Sequence, residues 1–207
     1  MQIIHKIREK MGHGLAFLYI LDRLSAVDIG LRPFYLVLEG GQYIDTENFS
    51  VGIQPCEAGF LTKHEIKELA SHPEVGHSEK ELFSRIDRGC KCFGLKHHSD
   101  IVAYMWCDFS RCESWISFSL KPKEVYLFDA RSFNLYRGNN LAPFLRDQLY
   151  KELRKIGCDK FYSVSDAFNT PAINFKRKLG AKNLKLFMHI RLFKKIQKNI
   201  LLKEYVT

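Results

Sequence analysis

The sequence predicts an α/β domain on three observations. Two apolar runs rich in aromatic and branched residues, 124–133 and 161–164, each lead through a polar turn into a helical pattern. The 207 residues are 46% hydrophobic and 27% charged, globular values that exclude wholesale disorder and collagen-like repeats. No internal repeat or low-complexity linker breaks the chain. A domain of this length buries a core without disulfide staples.

The elements follow in order. Residues 1–28 read as a helix because Ile3, Ile4, Ile7, Met11, Leu15 and Leu18 recur at three- and four-residue steps, weakened by Gly12 and Gly14. Pro33 starts an extended run, Phe34-Tyr35-Leu36-Val37-Leu38-Glu39, which Gly40-Gly41 ends. Residues 49–53 read as a further strand. Thr62-x-x-Glu65 is a capping box that opens a helix with Ile66, Leu69 and Ala70 on its apolar stripe, and His72-Pro73 closes it. A second helix, 78–86, has Ser78 as its cap. Two strands follow, 90–96 and 101–109, joined by the turn His97-His98-Ser99-Asp100, whose histidines are expected in solvent. Residues 114–120 fit either strand or loop.

Residues 124–133 form a clear strand. The turn Arg137-Gly138-Asn139-Asn140 leads into a helix over 142–156, where Leu141, Leu145, Leu149 and Leu153 recur every four residues and Gly157 caps the end. A strand at 161–164 precedes a helix that Pro171 opens at its first position, where a missing N–H costs nothing, and Gly180 ends. Residues 184–193 are a last long strand. From Lys194 onward the pattern fits helix or tail.

The net charge of +9 is concentrated. Residues 174–207 hold ten basic residues and one acidic one, Glu204, which accounts for the whole excess. Such an end suits a polyanion, whether cofactor phosphate, nucleic acid or lipid surface; a solvated basic tail fits as well. No apolar run approaches the roughly 18 residues of a membrane span. The longest, 15–21, is broken by Asp22 and Arg23 and lacks a cleavage site, so neither span nor signal peptide is expected and a cytoplasmic location is. The six cysteines are expected reduced and metal-free. Cys90-x-Cys92 and Cys107-x4-Cys112 do not match zinc-knuckle spacing, and Cys90 and Cys92 share one face of a strand.

The passage from strand 124–133 through turn 134–140 into the following helix is the most informative. A helix N-terminus presents unpaired N–H groups and partial positive charge, so the turn suits an anion. Arg137 adds a full charge, Gly138 permits close approach, and Asn140 tolerates positive φ. The turn is neither a dinucleotide fingerprint nor a Walker loop. An ordinary strand-to-helix connection that binds nothing would read the same way. A second such passage holds Asn169-Thr170-Pro171-Ala172 and Lys178-Leu179-Gly180, and two successive crossovers should open onto the same sheet edge.

Together these stretches resemble the GNAT superfamily of acyl-CoA-dependent N-acyltransferases. Its cofactor motif, Gln/Arg-x-x-Gly-x-Gly/Ala, is matched by Arg137-Gly138-Asn139-Asn140-Leu141-Ala142, after a lead-in Ser132-Phe133-Asn134-Leu135-Tyr136. The later N-x-x-A and K-L-G are matched by Asn169, Ala172 and Lys178-Leu179-Gly180. The resemblance covers residues 49–193. Asn140 replaces the central glycine, Ser132 and Asn134 replace valine and proline, and Lys176 stands where a tyrosine general acid is often found.

The resemblance implies a mixed, mostly antiparallel central sheet with flanking helices, splayed between the fourth and fifth strands of the family's order. It implies direct acetyl transfer from acetyl-CoA to an amine. The pantetheine arm would run along the backbone near Ala130 and Ser132, an N–H near Ser132 would polarise the thioester carbonyl, and the pyrophosphate would sit on the N–H groups of Gly138, Asn139, Asn140, Leu141 and Ala142 beside Arg137. Asn169 belongs to the same cofactor set. Glu124 is the first candidate base and Asp129, facing the other way, the second; a surface or salt-bridged carboxylate is the plainer reading of each. No nucleophilic cysteine is required.

Three functions compete: an N-acetyltransferase for a small molecule or sugar, one for a protein or aminoacyl acceptor, and a binding module for nucleic acid or an anionic surface. The last lacks a recognisable nucleic-acid motif. The expected organisation is an N-terminal helix and strand extension (1–48), an acyltransferase domain (49–193) and a basic tail (194–207). The N-terminal helix fits a membrane surface, but a lid or homodimer contact over the acceptor cleft is the stronger expectation.

Overall fold

The structure, a computed structural model, describes residues 29–40, 52–193 and 196–206. The helix expected over 1–28 lies outside the described residues. Ten strands and four helices are described, together with a short 3-10 turn, Asn134–Tyr136. Strand β1 is Ile29–Glu39 and β2 Cys56–Phe60; helices α1 and α2 are Lys63–Ser71 and Glu79–Asp87. Then come β3 (Lys91–His97), β4 (Asp100–Asp108), the hairpin β5 (Arg111–Glu113) and β6 (Ser117–Ser119), and β7 (Glu124–Ser132). Helix α3 is Leu141–Lys155, β8 is Lys160–Asp166, α4 is Thr170–Lys178, β9 is Lys182–Leu192 and β10 is Ile196–Glu204.

Eight strands form one sheet in the order β10-β9-β1-β8-β7-β4-β3-β2. Every neighbouring pair is antiparallel except β7 and β8, which are parallel. The mixed, mostly antiparallel sheet is therefore as expected. Helices cover both faces. The leucine stripe of α3 packs with Phe93, Leu95, Met105, Val125, Leu127 and Phe161 on one face. Ile66, Leu69 and Leu82 of α1 and α2 pack with Cys92, Tyr104, Trp106 and Phe133 on the other. Alternation along β4 and β7 produces this division. Both short helices close at their N-termini with reciprocal capping boxes, Thr62 with Glu65 and Ser78 with Glu81. A lost cap of this kind costs about 1 kcal/mol.

Several expectations change. Of the strand read at 49–53, residues 49–51 lie outside the described residues; Gly52 to Pro55 form bends, and pairing begins at Cys56, where β2 aligns with β3. β2 is specified by its partner strand rather than by its own composition. Residues 114–120 contribute to the β5–β6 hairpin. The segment after Lys194, read as helix or tail, contains β10, paired to β9 from Ile196↔Leu192 to Glu204↔Lys185. Nearly all its side chains are exposed, so main-chain pairing holds it rather than burial, and no amphipathic pattern announces it. His97 is half-buried, with Nδ1 2.9 Å from the Pro55 carbonyl; His98 is exposed.

Strand β1, expected within an extension, lies inside the sheet between β8 and β9. Pro33 sits where β1 has joined β9 but not yet β8, whose pairing begins at Phe34↔Asp166. The missing N–H falls where the β8 ladder ends, and the Pro33 carbonyl accepts from Ala167 N–H at 2.9 Å just beyond it.

Candidate functional site

The parallel pair β7–β8 is short. It runs through Glu124↔Lys160, Val125↔Phe161 and Tyr126↔Tyr162 and then ends, although both strands continue to Ser132 and Asp166. Beyond Tyr126 the two strands part and leave facing edges of unpaired backbone groups, the splay expected between the family's fourth and fifth strands. On its other side β7 stays paired to β4 through an irregularity between Tyr104 and Trp106, where Asp129 takes a φ of 45°. An extra residue with positive φ is the signature of a bulge, which bends the strand.

The polar turn stands at the C-terminal end of β7. Asn140 adopts left-handed φ/ψ of 56° and 24° and caps α3 without a side-chain hydrogen bond. Gly138 has φ 89° and open space around its α-carbon. Among the described residues, no hydrogen bond is made by the backbone N–H groups of Gly138, Asn139, Asn140, Leu141 or Ala142. Pro143 follows and has no N–H, so the donors end there. Arg137 folds back, with Nε 3.4 Å from the Ser132 carbonyl. Gly52 N–H donates to the Asn139 carbonyl at 3.2 Å, and a side-chain carbon at Gly52 would collide with Asn139. Asn169 caps α4, its Oδ1 accepting from Ala172 N–H at 3.2 Å. Ala130 is exposed, whereas the Ser132 hydroxyl is buried without a hydrogen-bond partner among the described residues.

The two candidate carboxylates lie at different depths along β7. Glu124 sits at the paired end, on the face away from α3. It accepts from Lys121 N–H at 2.9 Å and from the Tyr162 hydroxyl at 3.2 Å. Burial, with Glu124 beside it, pushes the Tyr162 phenol up. Asp129 is committed to an ion pair with Arg85 at 2.6 Å and lies 3.2 Å from His77 Nε2. The bulge turns Asp129 to the same face as Glu124, rather than the opposite one expected, yet it stands five residues along the strand, so the structure does not bring the two carboxylates together.

A buried charged cluster went unread in the sequence. Glu39 of β1 is fully buried and receives hydrogen bonds from the Tyr150 and Ser163 hydroxyls. Lys176 Nζ lies 3.4 Å from Glu39 Oε1 and donates to Ser163 at 2.7 Å and Ser165 at 2.6 Å. Arg146 Nε lies 3.5 Å from Glu39 Oε2. Burial pushes the Glu39 carboxyl up, but the charges of Arg146 and Lys176 and the two hydroxyls outweigh it and hold the group below its ordinary range. Burial lowers the Lys176 ammonium, Glu39 opposes it and Arg146 adds to it, which together leave the group at about 8. The available signal was polarity inside apolar patterns: Glu39 ends an apolar run, and Arg146 follows Leu145 on the helix face that should be buried.

A cavity of about 500 Å³ opens beside the end of β7 on the α1 side, lined by Glu68, His72, Glu74, Asp100, Phe133 and Tyr136 among others. His72 stacks on Phe133 at 3.7 Å, and Glu74 accepts the Asn134 N–H at 3.1 Å. The six cysteines are free. Burial first, then Asp108 beside Cys90 and Cys112, pushes those thiols up to about 12, and burial does the same to Cys107. None of these three is a thiolate nucleophile. Among the described residues no group of three or more His, Cys, Asp or Glu could hold a metal, and no helix is long and apolar enough to cross a membrane.

No protein-family model and no curated sequence matches the chain. Solved structures do. A GCN5-related N-acetyltransferase-like protein from Streptococcus suis is 14% identical, with a TM-score of 0.54 over 85% of this chain and 67% of that one. The ribosomal-protein-S18-alanine N-acetyltransferase of Escherichia coli is 20% identical, with a TM-score of 0.50 over 61% of this chain and 77% of that one. The glucosamine N-acetyltransferase region of a fungal multi-domain β-N-acetylglucosaminidase is 10% identical, with a TM-score of 0.56 over 82% of this chain and 22% of that one. Against three other solved chains this one spans 59%, 63% and 66% of their length, less than two thirds. The fold is the GNAT fold.

Proposed function

We propose that the protein transfers an acetyl group from acetyl-CoA directly to an amine of a small molecule or sugar. One observation carries this reading: the parted strands β7 and β8 end beside a helix N-terminus whose five preceding and opening N–H groups have no partner among the described residues. Unpaired strand edges suit the amides of a pantetheine arm, and the N-terminus of α3 suits a pyrophosphate. Arg137, swung from the Ser132 carbonyl, adds charge there. An N–H of β7 along the gap past Tyr126 would polarise the thioester carbonyl, and bound acetyl-CoA would supply the activated acyl group.

The acceptor amine approaches the face of β7 opposite α3 and α4. Glu124 lies on that face, two residues or about 7 Å of strand before the gap opens. It takes the amine proton directly or through water. Asp129, tied to Arg85, serves positioning in this reading. The 500 Å³ cavity lies on the same side as α1, and its carboxylates suit an acceptor that arrives as a cation.

The experiment is a thermal-shift and calorimetric titration with acetyl-CoA, followed by a panel of amines assayed by thiol release. Binding with no turnover on any amine would leave a CoA-binding module; absence of binding would overturn the reading.

A further inference from the structure

Strands β1, β9 and β10 outrun the rest of the sheet. The ladder between β1 and β8 ends at Phe34↔Asp166, whereas β1 stays paired to β9 as far as Ile29↔Leu192, and β10 joins at Ile196↔Leu192. Residues 29–33 therefore carry a three-stranded ribbon about 16 Å past the end of β8. Alternation gives the ribbon two unlike faces. Leu31, Ile190, Leu192, Ile196 and Ile200 share one of them with Lys198. Arg32, His189, Arg191, Gln197 and Asn199 share the other, and the β5–β6 hairpin is moored there. Trp115 stacks on His189 at 6.1 Å, and its carbonyl accepts from the Asn199 amide.

The apolar face is open. Ile196 is 57% exposed and Ile200 41%. Phe193, at the turn between β9 and β10, is 62% exposed and has a φ of 51°. That left-handed backbone strains a bulky residue and favours glycine or asparagine, so folding gives no reason for an aromatic ring there. Among the described residues, six of the nine large apolar side chains that stand exposed lie between Phe193 and Val206. They form a patch rather than the scatter normal on a surface. The same stretch is cationic: residues 191–203 hold Arg191, Lys194, Lys195, Lys198 and Lys203 and no acid.

We propose that the β9–β10 end of the sheet is a docking surface for an anionic membrane, entered by Phe193 and Ile196. The surface is independent of acetyl transfer. A bilayer uses both properties of the patch: the apolar side chains enter the boundary between headgroups and acyl chains, and the cations meet lipid phosphates. The free edge of β10 stays in the hydrated headgroup layer, where water pairs its backbone groups. A second copy of the chain suits the patch less well. It would pair along β10, and that edge carries Lys198, Lys203 and a register shift between Leu201 and Lys203, the features that keep edge strands single. A nucleic acid would meet the cations but leave Ile196, Ile200 and Leu202 in water, since bases stack on aromatic rings rather than aliphatic chains.

The test is co-sedimentation of the whole protein with vesicles, one set of equimolar phosphatidylcholine and phosphatidylglycerol, the other of phosphatidylcholine alone. A cation beside an anionic leaflet contributes about fivefold to binding. Wild type should bind the phosphatidylglycerol vesicles about tenfold more tightly or better, and high salt should remove most of that preference. Lys198→Gln/Lys203→Gln should weaken the binding about 25-fold. Phe193→Asn/Ile196→Asn keeps every charge and places asparagine where φ is positive. It should weaken the binding about tenfold, through lost apolar burial, with a thermal midpoint no lower than wild type. Failure of wild type to bind phosphatidylglycerol vesicles, or undiminished binding by Phe193→Asn/Ile196→Asn, would overturn the surface. A wild-type dimer in sedimentation velocity that this variant splits would assign the face to a second copy instead. Tighter binding to duplex DNA than to vesicles, retained by the variant, would assign the cations to nucleic acid and overturn it as well.

Discussion

Arg85 of α2 grips Asp129 of β7, with Nη1 2.6 Å from the carboxylate, while its Nη2 lies 3.0 Å from His77 Nε2. A guanidinium only donates, so both contacts draw on its N–H groups. The same guanidinium lies over Trp106 at 5.1 Å and Phe128 at 5.4 Å. One side chain therefore fixes α2, the loop before it and the bulge of β7, the strand that borders the gap.

Breaking that pair should be costly. Arg85 and Asp129 are 13% and 17% exposed, so removing one leaves the other's charge poorly solvated. Arg85→Met and Asp129→Asn should each lower stability in urea by about 3 kcal/mol. The double variant should lose less than the sum, because it strands no charge. Strict additivity would mean the pair is not coupled.

Arg137→Glu should abolish acetyl-CoA binding at low micromolar protein. It sets a negative charge beside the five unpaired N–H groups, against the pyrophosphate. Calorimetry decides: wild-type affinity in the variant would place the phosphates elsewhere.

If Glu124 takes the amine proton, Glu124→Gln should lower kcat at least tenfold at pH 7, within the 10²–10⁴-fold range of a general base. CoA affinity should not change. The deficit should shrink as pH rises, because the amine then deprotonates unaided. An amine of pKa about 8 is already near 10% neutral at pH 7, so a basic amine should show the larger loss. Full kcat in the variant at pH 7 would assign the rate to positioning alone.

Lys176 also makes a prediction about stability. Its folded value, about 8, lies below its ordinary value of 10.5, so between these limits the unfolded chain binds more protons. Stability then gains a rising contribution with pH across that window. Chemical denaturation between pH 8 and 10.5 should show this slope in wild type, and Glu39→Gln/Lys176→Met should flatten it. An identical slope in the two proteins would mean that Lys176 is not the group responsible.

Local chemistry determined much of this protein. The capping boxes at Thr62 and Ser78, the four-residue leucine spacing of α3, Pro171 at the start of α4, and the strand–turn–helix around Arg137 to Ala142 are short-range features. Their hydrogen bonds close within a few residues, so the sequence displays them whole. Tertiary structure decided what depends on partners far along the chain. Five-residue β2 and mostly exposed β10 exist because neighbouring strands complete their backbone hydrogen bonds, and neither carries an apolar stripe of its own. Glu39, Arg146 and Lys176 meet only because β1 inserts between β8 and β9 and brings a carboxylate under α3 and α4. The commitment of Asp129 to Arg85 likewise depends on a bulge that no residue type announces. Spacing along the chain revealed where a phosphate can sit; packing alone decided which charges surround the gap.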